Sequence, residues 1–195
     1  QDSTFSTSAQ HLKVEYQINR RWRLKTGAQF YSSTSLQDEQ SIVLDTSVVD
    51  YKSDKLMIGS TFYLPTSIKT ALPIKNSIDF ETTLGKRQLL NTPDNEDSDI
   101  RQFDFKLDNQ WYIPIDKRQF LYLGNFNRWL ISDNYVTNEL FRFGGMKNIR
   151  GFSENSLFAD FYSVLQTEYR YILSPDLFIH SVLDLSYFEN QLQNI

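Results

Sequence analysis

The sequence predicts an all-β protein, an antiparallel up-and-down transmembrane β-barrel, and three observations support this prediction. Apolar and polar residues alternate with a period of two over segments of about ten residues, which is the pattern of a strand with one apolar and one polar face. Aromatic residues make up 15% of the 195 residues. The connections between the segments are alternately short and long, which is typical of barrels that cross the outer membrane.

The first four predicted strands cover about 11–19, 22–31, 55–64 and 76–86. In the first, every even position from Leu12 to Ile18 is apolar and every odd position is polar. In the second, the even positions from Trp22 to Phe30 are apolar or small, and they oppose a largely polar set. The third and fourth strands show weaker versions of the same alternation.

The last four predicted strands cover about 102–112, 118–131, 157–173 and 177–189. The fifth is the clearest, because Phe103, Phe105 and Leu107 alternate with charged or amide side chains. Strands of soluble β-sandwiches are usually about five or six residues long. The longer strands predicted here, with successive charges on the polar face, favour a barrel with a wet interior and a lipid-facing exterior.

The connections predict which end of each strand faces outside. Those at 19–21, 113–117 and 174–176 are short, those at 32–54, 87–99 and 132–156 are long and polar, and 65–76 is intermediate. All five prolines are predicted to lie in connections, since proline cannot donate to a strand ladder. Outer-membrane barrels have short periplasmic turns and long external loops, so the long connections are predicted to be external. Both chain ends would then lie outside, so we expect the chain to be part of a larger barrel.

Composition excludes several classes of function. The formal net charge of −4 gives no basic surface for nucleic acid. The chain has no cysteine, and its two histidines, His11 and His180, lack carboxylates at metal-ligand spacing, so no metal or cofactor is predicted. His180 and Asp184 could form a catalytic pair, but no nucleophile elbow accompanies them, and we predict that the protein is not an enzyme. The acidic run 94–97 is predicted to be a solvated external loop, and the N-terminal residues show no secretory signal.

One long connection concentrates glycine. Gly144, Gly145 and Gly151 are three of the seven glycines, and they lie beside Arg150. Glycine is needed where φ is positive or where the backbone approaches another group closely. This loop is therefore predicted to be folded and docked against the protein.

The loop also carries a family resemblance. Phe143-Gly144-Gly145 followed by Ile149-Arg150-Gly151-Phe152 resembles the sixth external loop of the BamA/TamA-like superfamily of outer-membrane assembly and translocation barrels. The segments 165–171 and 182–188 resemble the two strands that follow that loop, and the resemblance is specific over about 140–189. It implies an integral barrel of roughly sixteen strands in the outer membrane of a Gram-negative bacterium. This chain would supply about half of those strands and none of the periplasmic POTRA repeats.

In that superfamily the loop folds into the barrel lumen, and its arginine pairs with carboxylates of the two following strands. The alternation here independently places Glu168 and Asp184 on the polar face. We therefore predict that loop 132–156 is latched inside the barrel by Arg150 on Glu168 and Asp184. The other predicted latch residues are Gly144, Gly145, Gly151 and Phe152. Arginine suits this role because its planar guanidinium can engage two carboxylates at once.

The resemblance implies that the protein folds and inserts other outer-membrane proteins. Its partners would then be outer-membrane lipids, unfolded outer-membrane protein clients and accessory lipoproteins. A two-partner secretion transporter, which moves a polypeptide through the lumen, shares the loop motif and is the first alternative. A passive porin or surface-binding barrel, in which the loop only constricts the pore, is the second.

Overall fold

The chain forms one long antiparallel meander in the computed structural model, which describes residues 5–35, 48–65, 75–90, 99–174 and 177–193. The strands of these residues are β1 (Phe5–Gln17), β2 (Trp22–Ser35), β3 (Tyr51–Leu64), β4 (Asn76–Leu89), β5 (Ile100–Asp116), β6 (Gln119–Ser132), β7 (Phe141–Phe143), β8 (Leu157–Ala159), β9 (Phe161–Ser174) and β10 (Leu177–Glu189). Eight of them form one sheet in the order β1-β2-β3-β4-β5-β6-β9-β10. The all-β antiparallel meander predicted from the alternation is therefore confirmed.

The large sheet has one apolar and one polar face, which we call the outer face and the inner face. Leu56 and Leu84 of the outer face are 71% and 61% exposed. On the inner face the buried Lys25 is ion-paired with Asp79, and its Nζ is 2.8 Å from Glu81 Oε1. A continuous apolar face of this size is stable when lipid covers it, whereas charged pairs suit a wet interior.

The connection after β6 has a structure of its own. It contains a 3₁₀ turn, Thr137–Glu139, and then the short ribbon formed by β7 and β8. The ribbon packs against the inner face, where the ring of Phe143 stacks on that of Tyr162 at a centroid distance of 4.4 Å. The part of the chain that the structure describes contains no helix long and apolar enough to span a membrane.

The prediction of one continuous strand over 157–173 is wrong. Residues 157–159 pair with β7 in the ribbon, and β9 of the large sheet begins only at Phe161. Asp160 separates the two strands, and it is 1% exposed. Its backbone N–H donates to Glu189 O at 3.1 Å, and its side chain accepts from Gln191 N at 2.8 Å. These bonds to the end of β10 turn the chain from the ribbon into the sheet.

The prediction that every proline lies in a connection is wrong for Pro114, which lies inside β5. The pairing of β5 with β4 ends at Gln110, so Pro114 lies beyond the last residue of β5 that pairs with β4. On the other side, the register with β6 shifts between Pro114 and Asp116. A proline is tolerated at such a bulged strand end, because its missing N–H breaks no ladder bond there.

Several strands run further than the alternation predicts. β2 continues to Ser35, β3 begins at Tyr51 and β4 ends at Leu89. Beyond the lipid-facing band a strand no longer needs apolar side chains on its outer face, so the alternation fades before the strand ends. The predicted connections at 32–54, 65–76, 87–99 and 174–176 lie partly outside the described residues, and the acidic run 94–97 lies entirely outside them.

Candidate functional site

Arg150 lies at the tip of the loop and is bonded to two carboxylates of the inner face. Its Nη1 donates to Glu168 Oε1 at 2.6 Å. Its Nε and Nη2 donate to the two oxygens of Asp184 at 2.7 and 2.5 Å, and its backbone N–H donates to Asp184 Oδ2 at 3.0 Å. The structure thus brings together the three residues that the sequence assigns to the latch.

Arg150 is partly exposed, whereas its partners are buried. The side chain of Arg150 is 25% exposed, and those of Glu168 and Asp184 are 8% and 4% exposed. The pKa of Arg150 lies above its ordinary value, chiefly because its side chain donates to Asp184. The guanidinium is therefore charged throughout the physiological pH range, and the two-oxygen contact with Asp184 orients it as well as neutralising it.

Glu168 also binds a second arginine, to which the sequence assigns no role. Arg170 Nε donates to Glu168 Oε2 at 2.7 Å, and Arg170 Nη2 lies 2.5 Å from the same oxygen. The guanidinium of Arg170 lies against the rings of Tyr122 and Phe178, at 5.4 and 5.2 Å from their centroids. Two arginines and two carboxylates thus form a neutral group, and removing any one of them leaves a charge without its counterion.

The pairing of β9 with β10 places the acceptors of the latch. Asp184 is opposite Gln166, and Glu168 lies two residues further along β9 on the same face. Gln166 is a further contact of the loop tip, because its Nε2 donates to Asn148 O at 2.5 Å. The sequence alternation places Gln166 on the inner face but assigns it no partner. Because Gln166 is two residues from Glu168 and shares its face, it could have been identified as a further contact of the loop.

Apolar packing holds the loop beside the ion pairs. Phe143, Ile149, Tyr162 and Val164 belong to one buried cluster, in which Phe143 and Val164 are fully buried. Ile149 directly precedes Arg150, so this cluster fixes the backbone from which the guanidinium projects. Phe152, a predicted latch residue, is 50% exposed and is not part of the buried cluster.

The loop glycines adopt conformations that other residues rarely adopt. The φ angles of Gly144, Gly145 and Gly151 are 115°, 88° and 97°. A Cβ at Gly144 would lie 2.6 Å from the backbone oxygen of Ser153, whereas a Cβ at Gly151 would meet nothing within 4 Å. Gly144 is therefore required by its φ and by close packing, and Gly151 by its φ alone.

These contacts rank the glycine substitutions. We expect Gly144→Ala to loosen the loop tip more than Gly151→Ala, because the backbone of residue 153 must also move. Strained backbone of this kind costs about 1 to 3 kcal/mol per residue. Limited proteolysis of the membrane-inserted protein, with cleavage sites mapped within the loop, measures the effect. Equal cleavage rates for the two variants would contradict the ranking.

The described residues do not assemble the catalytic pair considered from the sequence. Asp184 is bonded to Arg150, while His180 Nδ1 lies 3.6 Å from Glu168 Oε2. Ser181 pairs with Tyr169 on the outer face of the sheet. Among the described residues there is also no group of three or more histidine, aspartate or glutamate side chains that could hold a metal ion. The chemistry of this site is ion pairing and hydrogen bonding.

Comparison with known proteins identifies a family model that matches this chain. A family model described as "Haemolysin secretion/activation protein ShlB/FhaC/HecB" matches residues 3–172. None of the curated proteins matches the chain. The family model covers most of the sheet and all of loop 132–156. The resemblance to outer-membrane assembly and translocation barrels is confirmed at the level of the superfamily, and the match is to the secretion type.

Proposed function

Because the chain belongs to the ShlB/FhaC/HecB family of haemolysin secretion/activation proteins, we propose that it acts in a transporter that secretes a partner polypeptide. Members of this family are integral outer-membrane barrels of Gram-negative bacteria, and they are transporters, not enzymes. The observation that carries the proposal is the match over residues 3–172. It favours the transporter, our first alternative from the sequence, over the assembly factor.

The inner face supports transport of an extended polypeptide. Its side chains include paired charges, such as Lys55 Nζ and Asp104 Oδ2 at 2.7 Å and the ion pair of Arg128 with Asp108. An unfolded chain that passes these charged side chains can exchange hydrogen bonds with them and with water. The outer face is apolar and contacts the membrane lipid.

The latch supports a path that can be opened. Arg150 is held by ion pairs and hydrogen bonds, and its side chain is already one-quarter exposed. Hydrogen bonds to water can replace such contacts when the tip leaves, so the tip can leave and return without unfolding the barrel. In this proposal the loop tip blocks the lumen at rest and moves aside while the partner passes.

The partner that we propose is a secreted exoprotein, as the family description implies. The transporter recognises that one partner and does not act on outer-membrane proteins in general. Lipids of the outer membrane contact the outer face in either case. The secretion function and the assembly function therefore differ in which proteins are lost when this protein is absent.

Deletion of the gene tests the proposal. We expect the culture medium to lose one exoprotein, or a small set, by about tenfold or more. The abundance of heat-modifiable outer-membrane proteins should stay unchanged, and the wild-type gene should restore secretion. A general loss of outer-membrane proteins would indicate the assembly function, and no change in either fraction would indicate a passive porin.

A further inference from the structure

The loop contacts the sheet at a second place, far from Arg150. We call residues 136–140 the loop base and the Arg150 contacts the tip anchor. From the base, Glu139 forms an ion pair with Arg87 of β4. The second oxygen of the Glu139 carboxylate accepts a hydrogen bond from Gln102 Nε2 of β5 at 2.7 Å. Glu139 therefore joins the base to two strands that the tip does not contact.

Asn138 extends these contacts to β2 and the start of β3. Its Nδ2 donates to Ser33 Oγ and to Val49 O, both at 2.7 Å. Its backbone oxygen accepts from Tyr51 Oη at 3.3 Å. All these contacts lie at the end of the sheet from which the loop leaves β6. We call the contacts of Asn138 and Glu139 the base anchor.

The arginine of the base anchor is more deeply buried than that of the tip anchor. The side chain of Arg87 is 0% exposed, against 25% for Arg150, whereas the carboxylate side chains of both anchors are buried. Within the described residues, Arg87 Nε and Nη2 have no hydrogen-bond acceptor. A buried guanidinium with unsatisfied donors is destabilising, and it gains these hydrogen bonds from water when the base leaves. The Arg87–Glu139 contact is thus specific in geometry, and its opening lets Arg87 form hydrogen bonds with water.

The two anchors lie on opposite sides of β6 in the sheet. The base contacts β2, β3, β4 and β5, and the tip contacts β9 and β10. Between them the β7–β8 ribbon crosses the inner face, and Arg142 of the ribbon lies 4.3 Å from the ring centroid of Phe5 on β1. Release of the tip alone would leave the base and the ribbon in contact with the inner face.

We propose that the Arg87–Glu139 contact is a second anchor of the loop, and that a polypeptide passes along the inner face only when the base as well as the tip has left the wall. This inference rests on the proposed secretion function. Arg87, Glu139 and Asn138 are positioning residues in it. They hold the loop and do not select the passing polypeptide.

A reversible cross-link tests the second anchor. These 195 residues contain no cysteine, so Ser33→Cys with Asn138→Cys introduces the only two thiols of this part of the protein. A short bifunctional methanethiosulfonate reagent, applied to the full-length protein in the outer membrane, then ties the base to β2. We expect secretion to stop on cross-linking and to return several-fold on reduction. Secretion that continues with the base fully cross-linked would overturn the inference, as would failure of the two thiols to react with one reagent molecule.

The matched control carries Ser153→Cys with Ser156→Cys. Ser156 Oγ donates to Ser153 O at 2.9 Å within the same loop, so this cross-link modifies the loop without tying it to the wall. Secretion by the control is expected to be the same before and after reduction. If the control is inhibited as strongly as the base pair, the effect is not a property of the base, and the inference fails.

A pair of charge-neutralising variants gives an independent measurement. Glu139→Gln leaves Arg87 buried without its counterion, whereas Glu154→Gln neutralises an exposed carboxylate of the same loop. We expect single-channel recordings of the full-length protein to show several-fold more frequent openings for Glu139→Gln only. Openings as rare as those of the wild type would overturn the second anchor. A protein that forms gated channels in these recordings but secretes no partner would overturn the proposed function without removing the anchor.

Discussion

Replacing Arg150 with alanine is expected to release the loop tip and to raise its cleavage by external protease by about tenfold or more, the effect of about 1.4 kcal/mol on the equilibrium between docked and released tip. The substitution removes the three hydrogen bonds that the Arg150 side chain donates to Glu168 and Asp184, and it leaves the one that the backbone donates. It also leaves two carboxylates, 8% and 4% exposed, with less counterion charge. Loss of one partner of a deeply buried pair costs about 3 to 5 kcal/mol, and the partial exposure of Arg150 places its loss below that range.

Two further substitutions test whether the effect belongs to the guanidinium. Lys147→Ala removes a positive charge from an exposed side chain of the same loop. It should leave secretion and protease resistance at wild-type levels. Arg150→Lys keeps the charge but loses the planar fork that engages two carboxylates, so its defect should be intermediate. An Arg150→Ala protein with wild-type protease resistance would show that the latch is wrong.

Replacing Asp184 with alanine is expected to be nearly as severe, because Asp184 accepts three of the four hydrogen bonds that Arg150 donates. The remaining carboxylate, Glu168, then faces both Arg150 and Arg170, so the group carries one uncompensated positive charge. The loop tip should become accessible to external protease. The barrel should stay folded, as shown by an electrophoretic mobility that changes on heating. Asp116→Ala removes an exposed carboxylate at the end of β5 and serves as the control.

The double variant Arg150→Ala/Asp184→Ala tests whether Arg150 and Asp184 act mainly on each other or through other contacts. If the two side chains act mainly on each other, the double variant should be no worse than either single variant, because neither partner is left alone. Protease accessibility and secretion should show the same lack of additivity. Additive losses would mean that each residue acts through other contacts.

Much of this fold could be predicted because the alternation of a strand is a local property. Successive side chains point to opposite faces, so Leu12 and Val14 had to share one face and Glu168 and Gln166 the other. Strand ends were harder to predict. The serines at the end of β2 show no alternation, and Pro114 lies in β5 only because its position falls beyond the pairing with β4.

The loop was only partly predictable. Its glycines indicated an ordered backbone, and the φ angles of Gly144 and Gly145 are positive. The β7–β8 ribbon was not predicted, because the alternation of 157–159 continues into β9 and the break at Asp160 depends on bonds to the end of β10. The resemblance to a superfamily drew attention to Arg150. It drew none to Glu139, whose partner Arg87 lies in a strand of weak alternation.

The sequence by itself determined which residues face lipid and which face the lumen, because the period-two geometry of the backbone needs no information from distant parts of the chain. Only the tertiary structure decided which inward residues meet. The contact between Arg150 and Asp184 spans 34 residues, and that between Asn138 and Ser33 spans 105. Such contacts depend on strand register and on the path of the loop across the inner face. These are properties of the assembled sheet, so the tip anchor could be inferred by parity while the base anchor could not.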